Sequence, residues 1–312
     1  MNPAPSIVVF TTLSGAGYGV LFWLGVLRAA GLVPVSPAFG LTALVLALLL
    51  ITAGLLSSLK HLGRPDRAWR ALSQWRSSWL SREGVAAVAT YVPALLLGLA
   101  LLDGNQPLAT AMGLLAAAGA VATVWCTGMI YACLRTVRQW HLPMVPWGYL
   151  VFAAFCGATI LAALAALHGQ ARFVAMLAAI AGGTAIAMKR AYWDAIDAPP
   201  PAGTPTIESA TGLGRIGPTR PLDPPHTEQT WLTREMAFRV ARAHRAKLRR
   251  LTIAGFALST ALAVLALPVP GALSALALVP AAALAIAAML VERWLMFAEA
   301  THTVALFYGG PA

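Results

Sequence analysis

The chain has 312 residues, of which 59% are hydrophobic and only 11% charged, too little polar surface to cover a soluble globule of this length. Its formal charge of +11 needs no nucleic acid to explain it, because 19 of the 22 Lys and Arg fall in three connections between apolar runs, at membrane edges where they hold topology and meet anionic lipid.

Runs of about 20 apolar residues, the length that crosses a hydrocarbon core, recur along the chain. They predict membrane helices near residues 6–30, 38–59, 84–102, 107–133, 144–167, 171–190, 251–267 and 272–291. The runs are continuously apolar and rich in Ala and Leu, without the alternation of barrel strands, so the expected fold is an all-α integral membrane bundle of eight helices. The amino terminus, MNPAPSIVVF, offers no basic leader and no cleavage motif ahead of Thr11 and Thr12, and the first span is expected to be retained. Residues 60–83 hold six bases, 134–143 hold Arg135 and Arg138, and 189–250 hold eleven, whereas the turns 31–37, 103–106, 168–170 and 268–271 hold none. By the positive-inside bias, connections two, four and six and both termini face the cytoplasm of an inner membrane.

Connection two is the most specific stretch. His61 ends the second span and Glu83 begins the third, with Arg64, Asp66, Arg67, Arg70, Arg76 and Arg82 between them. An imidazole and a partly desolvated carboxylate at one membrane edge suit proton exchange with a quinone, whose two-electron chemistry also moves two protons. Gly63 and Pro65 break the helix after His61 and free backbone groups for a carbonyl oxygen. The same residues also fit an interfacial histidine, a helix-capping glutamate two positions after Ser81 and, in Trp69, Trp75 and Trp79, an aromatic belt.

Connection four, MIYACLRTVRQWHLPMVPWGY, places Tyr131, Arg135, Trp140 and His141 on the same side, as interfacial anchors or as part of a ligand pocket or proton path. In connection six, the Pro- and Gly-rich stretch DAPPPAGTPTIESATGLGRIGPTRPLDPPHTE is expected to be an extended loop without regular structure. TWLTREMAFRVARAHRAKLRRL then reads as a basic helix, N-capped at Thr233 and running into the seventh span. Gly212, Gly214 and Gly217 spell G-x-G-x-x-G, an accidental match where no βαβ unit fits. A loop of this length is either a solvated linker or a docking arm for a soluble partner, and the second reading is favoured. The chain thus divides into six spans with the connection 60–83 (1–190), a cytoplasmic docking segment (191–250), and two spans with a tail (251–312). In that tail Glu292, Arg293, Glu299 and His302 read as self-paired helix-end charges.

Three cysteines, Cys126, Cys133 and Cys156, lie in spans without a C-x-x-C pair, so they read as small buried residues and not as ligands of a four-iron cluster. His61, His141, His168 and His302 sit at or beyond span ends, a poor arrangement for membrane haem, and no metal site is expected. Redox centres, if any, belong to partners.

The run HLGRPDRAW, then SWLSREG at the next helix start, MIY with Arg135 and a Pro-rich turn, and FAEATHTVALFYGG together resemble the dimethyl sulfoxide reductase membrane-anchor family over the full length. The resemblance implies a haem-free anchor that catalyses nothing alone. It would bind ubiquinone or menaquinone, with no covalent cofactor, and carry a ferredoxin-like subunit with four-iron four-sulfur clusters and a catalytic subunit with molybdenum bis-pterin. The family's quinol-linked histidine falls on His61 and its acidic residue near the quinone on Glu83. Gly63 and Arg64 complete the expected site, with Tyr131, Arg135 and His302 as further candidates for the pocket or proton path. The long sixth connection looks like the branch that includes anchors of quinone-reducing sulfite dehydrogenases. With the basic face cytoplasmic, cytoplasmic sulfite oxidation with quinone reduction is the expected reaction. A quinol-oxidising anchor of a dimethyl sulfoxide reductase is the alternative, and a secondary transporter the rival from another class, although no internal repeat or midplane ionisable group is evident.

Overall fold

The computed structural model describes residues 3–61, 64–199, 203, 206–220, 222–223 and 240–308. Among these residues, eight helices are long and apolar enough to cross a membrane. They belong to α1 (Pro5–Ala30), α2 (Pro37–Ser58), α3 (Trp79–Leu102), α4 (Gln106–Ala132), α5 (Met144–Leu167), α6 (Ala171–Asp197), α8 (Val240–Leu265) and α9 (Ala275–Ala298). A short helix, α7 (Ile207–Thr211), lies in the sixth connection.

The starts and stops follow from local chemistry. Ser36 accepts the Phe39 N–H at 3.2 Å and Asn105 accepts that of Leu108 at 3.1 Å, so each N-terminus satisfies one of its free donors. Gly31, at φ 62°, ends α1 in the left-handed conformation that only glycine adopts without strain.

In α1 and α5 about 67% and 72% of the most apolar window is buried, against 22–39% elsewhere, so these two helices form the centre of the bundle. Lipid supplies no hydrophobic drive for helix association, and close packing has to do that work. It does so at glycines: Gly19 of α1 meets Ala153 and Gly157 of α5 backbone to backbone, and Gly25 meets Gly113 of α4. Leu49, Val88, Leu95, Ile180 and Leu276 point outward into the lipid.

All basic connections emerge at one end of the bundle. There α6 continues to Asp197, well past the expected limit near residue 190, and α8 is one unbroken helix from Val240, so its basic segment is continuous with the span. Arg245 and Arg249 bind Asp197 and Glu299, tying the α8 extension to α6 and α9. The sixth connection departs from the expected irregular loop. Thr206 and Ser209 form a reciprocal capping box that starts α7, and Gly212 (φ 70°) closes it. Glu208, whose carboxyl is held below its usual range first by its own backbone N–H, accepts the Thr219 N–H at 3.2 Å. Thr233 lies outside the described residues.

Behind α9, the C-terminal stretch folds over connection four. Thr303 N–H donates to the Thr136 carbonyl at 2.9 Å, and Val137 bridges His302. Cys133, expected to be buried, is exposed at the C-cap of α4, whereas Cys156 is buried in α5.

Candidate functional site

Helix α3 begins at Trp79, capped by Ser78, so residues 79–83 of the expected connection are helical and Glu83 stands inside the bundle in the second turn. It is 5% exposed. A carboxylate buried this deeply requires a hydrogen-bond partner. Thr127 of α4 provides it, its hydroxyl donating to Glu83 Oε1. The same hydroxyl lies 3.0 Å from the Thr123 carbonyl. With a single hydrogen it can serve the ionised Glu83, or turn to Thr123 while a protonated Glu83 donates to it. The pair therefore accommodates both protonation states without an orphaned group.

Below it, Thr90 and Thr123 face each other at 3.5 Å. Thr12 and Tyr18 of α1 and Ser81 of α3, none more than 2% exposed, carry hydroxyls without a hydrogen-bond partner among the described residues. Tyr18 is buried against α4 and α5. Its ring also walls an apolar cavity of about 290 Å³ that opens between α1, α4 and α5 beside Phe22 and Trp147. Glu83 with Thr127 offers a buried carboxyl, and the cavity beside Tyr18 offers an apolar slot. Such a combination suits a ligand with a polar head and an apolar body.

The other sequence candidates are spread over the same end of the bundle. Gly63 and the side chain of His61 lie outside the described residues; the His61 backbone closes a 3-10 turn, Leu59–His61. Arg64 is exposed ahead of a second 3-10 segment, Pro65–Gln74, and among the described residues makes no ion pair with Glu83. Trp69 and Trp75 of this region project into solvent or lipid headgroups. Tyr131 is half-buried against the core, stacked on Tyr149 with ring centres 5.7 Å apart and edge-on to Trp140 and Phe297. Arg135 is exposed, and half-buried His302 accepts the Val304 N–H at 3.0 Å. Of the candidates with described side chains, Glu83 is buried, Tyr131 and His302 are half-buried, and Arg64 and Arg135 are exposed.

A second buried polar cluster lies across the bundle. Lys189 Nζ of α6 donates to Glu292 Oε1 of α9 at 2.6 Å, and Arg293 Nε stands 3.4 Å from Glu292 Oε2. All three residues are at most 3% exposed. Glu292 is therefore bound across helices, not merely self-paired at a helix end. The Arg293 guanidinium lies 3.8 Å from the Tyr149 ring centre. Lys189 escaped sequence reading because the sixth span was expected to end beside it, although the helix runs two more turns. The threonines had a legible signal: Thr123 and Thr127 repeat at one helical turn inside an apolar run, which marks a polar stripe.

Known proteins resemble this chain in sequence. The chain is 30% identical, over 340 residues and 99% of each chain, to a protein of Allochromatium vinosum that is one of the subunits of a sulfite dehydrogenase. A family model described as "DMSO reductase anchor subunit (DmsC)" matches residues 1–309. With eight candidate spans and a match over nearly its whole length, the chain belongs to the DMSO reductase anchor-subunit family and is a multi-pass membrane anchor.

Proposed function

We propose that the chain binds a quinone beside Glu83 at the basic end of the bundle and passes electrons between an iron-sulfur partner and the quinone pool. The single observation that carries this reading is Glu83 itself, a buried carboxyl whose hydroxyl partner, Thr127, can serve both of its protonation states. When bound, a quinone supplies two-electron chemistry coupled to two protons. Glu83 holds or yields a proton at its carboxyl, Thr127 follows its charge, and Tyr18 and Ser81 offer hydroxyls to a carbonyl oxygen. His61, on the connection above, serves as the second titratable group, and Arg64 biases the local field. The partners are a ferredoxin-like subunit with four-iron clusters, seated over connection two, and a molybdopterin catalytic subunit.

Similarity to the Allochromatium protein favours sulfite oxidation with quinone reduction, and the basic end then faces the cytoplasm. The test is sulfite-dependent quinone reduction by membranes that carry the assembled complex, with Glu83→Gln and His61→Asn variants. Each variant is expected to assemble and to lose most quinone-linked turnover while sulfite oxidation with an artificial acceptor persists. Quinone turnover at the unaltered rate in both variants refutes the assignment.

A further inference from the structure

We propose that the groove between α3 and α4 seats the prenyl tail of the quinone and is the lateral portal by which the ring reaches Glu83 from the lipid. The portal rests on the reading of Glu83 as the quinone site, and it adds where the tail of the ligand lies.

Two apolar recesses flank α4. One, of about 290 Å³, lies beside Tyr18 against α1 and α5. The other, of about 520 Å³, runs between α3 and α4, and its rims at Val92 and Leu115 are 59% and 54% exposed, so it opens to the lipid. That volume falls within the range of small-molecule sites. The groove exists because Ala86, Ala89, Gly119 and Ala122 line it, where longer side chains would fill the seam. At Gly119 a Cβ would stand 2.4 Å from Thr90 Oγ1, so the missing side chain lets the two helices approach at the floor.

The groove has a direction. On α3 its lining runs from Ala86 to Leu96 and on α4 from Ala122 back to Met112, a length of about 15 Å. Glu83 lies one helical turn beyond Ala86, and Thr127 just over one turn beyond Ala122, both toward the basic end. A seam of hydroxyl contacts joins the two places. Thr127 donates to Glu83 and lies 3.0 Å from the Thr123 carbonyl, Thr123 Oγ1 is 3.5 Å from Thr90 Oγ1, and Thr90 lines the groove. Among the described residues that wall the recess beside Tyr18, none of these three threonines occurs.

A polar inner end with apolar walls fits a ligand with a polar ring and a hydrocarbon tail. Counted from Trp79, Ala86 stands about 10 Å and Leu96 about 25 Å along α3, so a tail laid there stays at hydrocarbon depth. The occupant is a quinone and not a phospholipid. Among the described residues no Lys or Arg lines the groove, so nothing there holds a phosphate, and a charged headgroup cannot follow an uncharged ring below the membrane surface.

Two measurements on the assembled complex in lipid nanodiscs test the portal. For binding, a quinone whose tail carries a photoreactive diazirine is irradiated without turnover, and the labelled residues are mapped by mass spectrometry. Labels are expected on α3 between Ala86 and Leu96 and on α4 between Met112 and Ala122, displaced by unlabelled long-tailed quinone. Labels confined to the recess beside Tyr18, or a photoreactive phospholipid that marks the groove despite excess quinone, overturn the proposal. For kinetics, Ala89→Phe and Ala122→Phe each put a ring into the groove from a lipid-exposed position. Each is expected to raise KM for a long-tailed quinone about three- to tenfold, a modest effect because lipid itself already dissolves the tail. Turnover at saturation and the KM of the tailless headgroup are expected to stay unchanged. Val88→Phe, at a position 62% exposed and outside the groove lining, is the control. A wild-type KM for the long-tailed quinone in both groove variants rules the portal out. Should Glu83→Gln keep its quinone turnover while the groove still labels, the assignment of Glu83 fails and the seat of the tail stands. Should Glu83→Gln lose turnover while the groove stays unlabelled, the portal alone fails.

Discussion

Glu83 and Thr127 show how one hydroxyl makes a buried acid workable. Thr127→Val leaves the carboxyl without its partner, and the cost expected for such a loss is about 1–3 kcal/mol. Thr127→Ser keeps the hydroxyl and is expected to lie near wild type. Thermal unfolding of the detergent-solubilised protein distinguishes the two. The α6–α9 cluster makes a sharper prediction through its charge count. Removing Lys189 as Met leaves the neutral Glu292–Arg293 pair and is expected to be mild. Glu292→Leu strands two cations in a dry interior, and breaking a buried ion pair in this way costs about 3–5 kcal/mol. Equal destabilisation by the two substitutions would show that the cluster is not governed by charge balance. The type and approximate place of Glu83 were legible in the sequence, since an acid between apolar runs stands out. Its burial was not, because the helix start moved from residue 84 to Trp79 once Ser78 capped it. Thr127 and Lys189 were hidden for a related reason: a residue's partner lies on another helix, and only packing selects it.

At the scale of elements, the bundle depends on where helices come closest. Gly19 and Gly157 let the backbones of α1 and α5 touch, so a side chain at either position forces apart the two central helices. Gly157→Val is expected to abolish recovery of monodisperse protein, whereas Gly15→Ala and Gly183→Ala, which meet nothing within 4 Å, are expected to be neutral or slightly stabilising. Size-exclusion chromatography of the three variants checks this. The extension of α8 obeys different rules. Its basic segment is held by ion pairs to Asp197 and Glu299 at the edge of the bundle, and such partly exposed pairs contribute little each. Their value lies in aligning α6, α8 and α9 around Lys189 and Glu292. Composition alone suggested an irregular loop over residues 197–228, yet Thr206 and Ser209 satisfy each other's backbone and start a helical turn there. Local capping overrode a Pro- and Gly-rich background.

For the whole molecule, the asymmetry of charge is the dominant feature. Every basic connection and both buried polar clusters lie at one end, and the other end is joined by short turns free of Lys and Arg. That end is expected to face the cytoplasm. A cysteine at Ser73, with Cys133 replaced, is expected to react with an impermeant thiol reagent only in inverted vesicles. One at Asn105 is expected to react only in right-side-out cells, and the reverse pattern would place the basic end outside. On the proposed reading, this concentration of charged groups lets a soluble partner and a lipid-soluble carrier meet at one end without either crossing the hydrocarbon layer.

The sequence by itself determined the solvent, the number of spans and the basic end, because hydropathy and charge act over whole segments and survive any error in helix boundaries. It also singled out Glu83. The tertiary structure decided that Glu83 faces Thr127 and not water, that Glu292 binds Lys189 across the bundle, and that Tyr131 stacks on Tyr149. Those pairings arise from helix rotation and close approach at glycines, which one-dimensional patterning cannot encode when nearly every face of every helix is apolar.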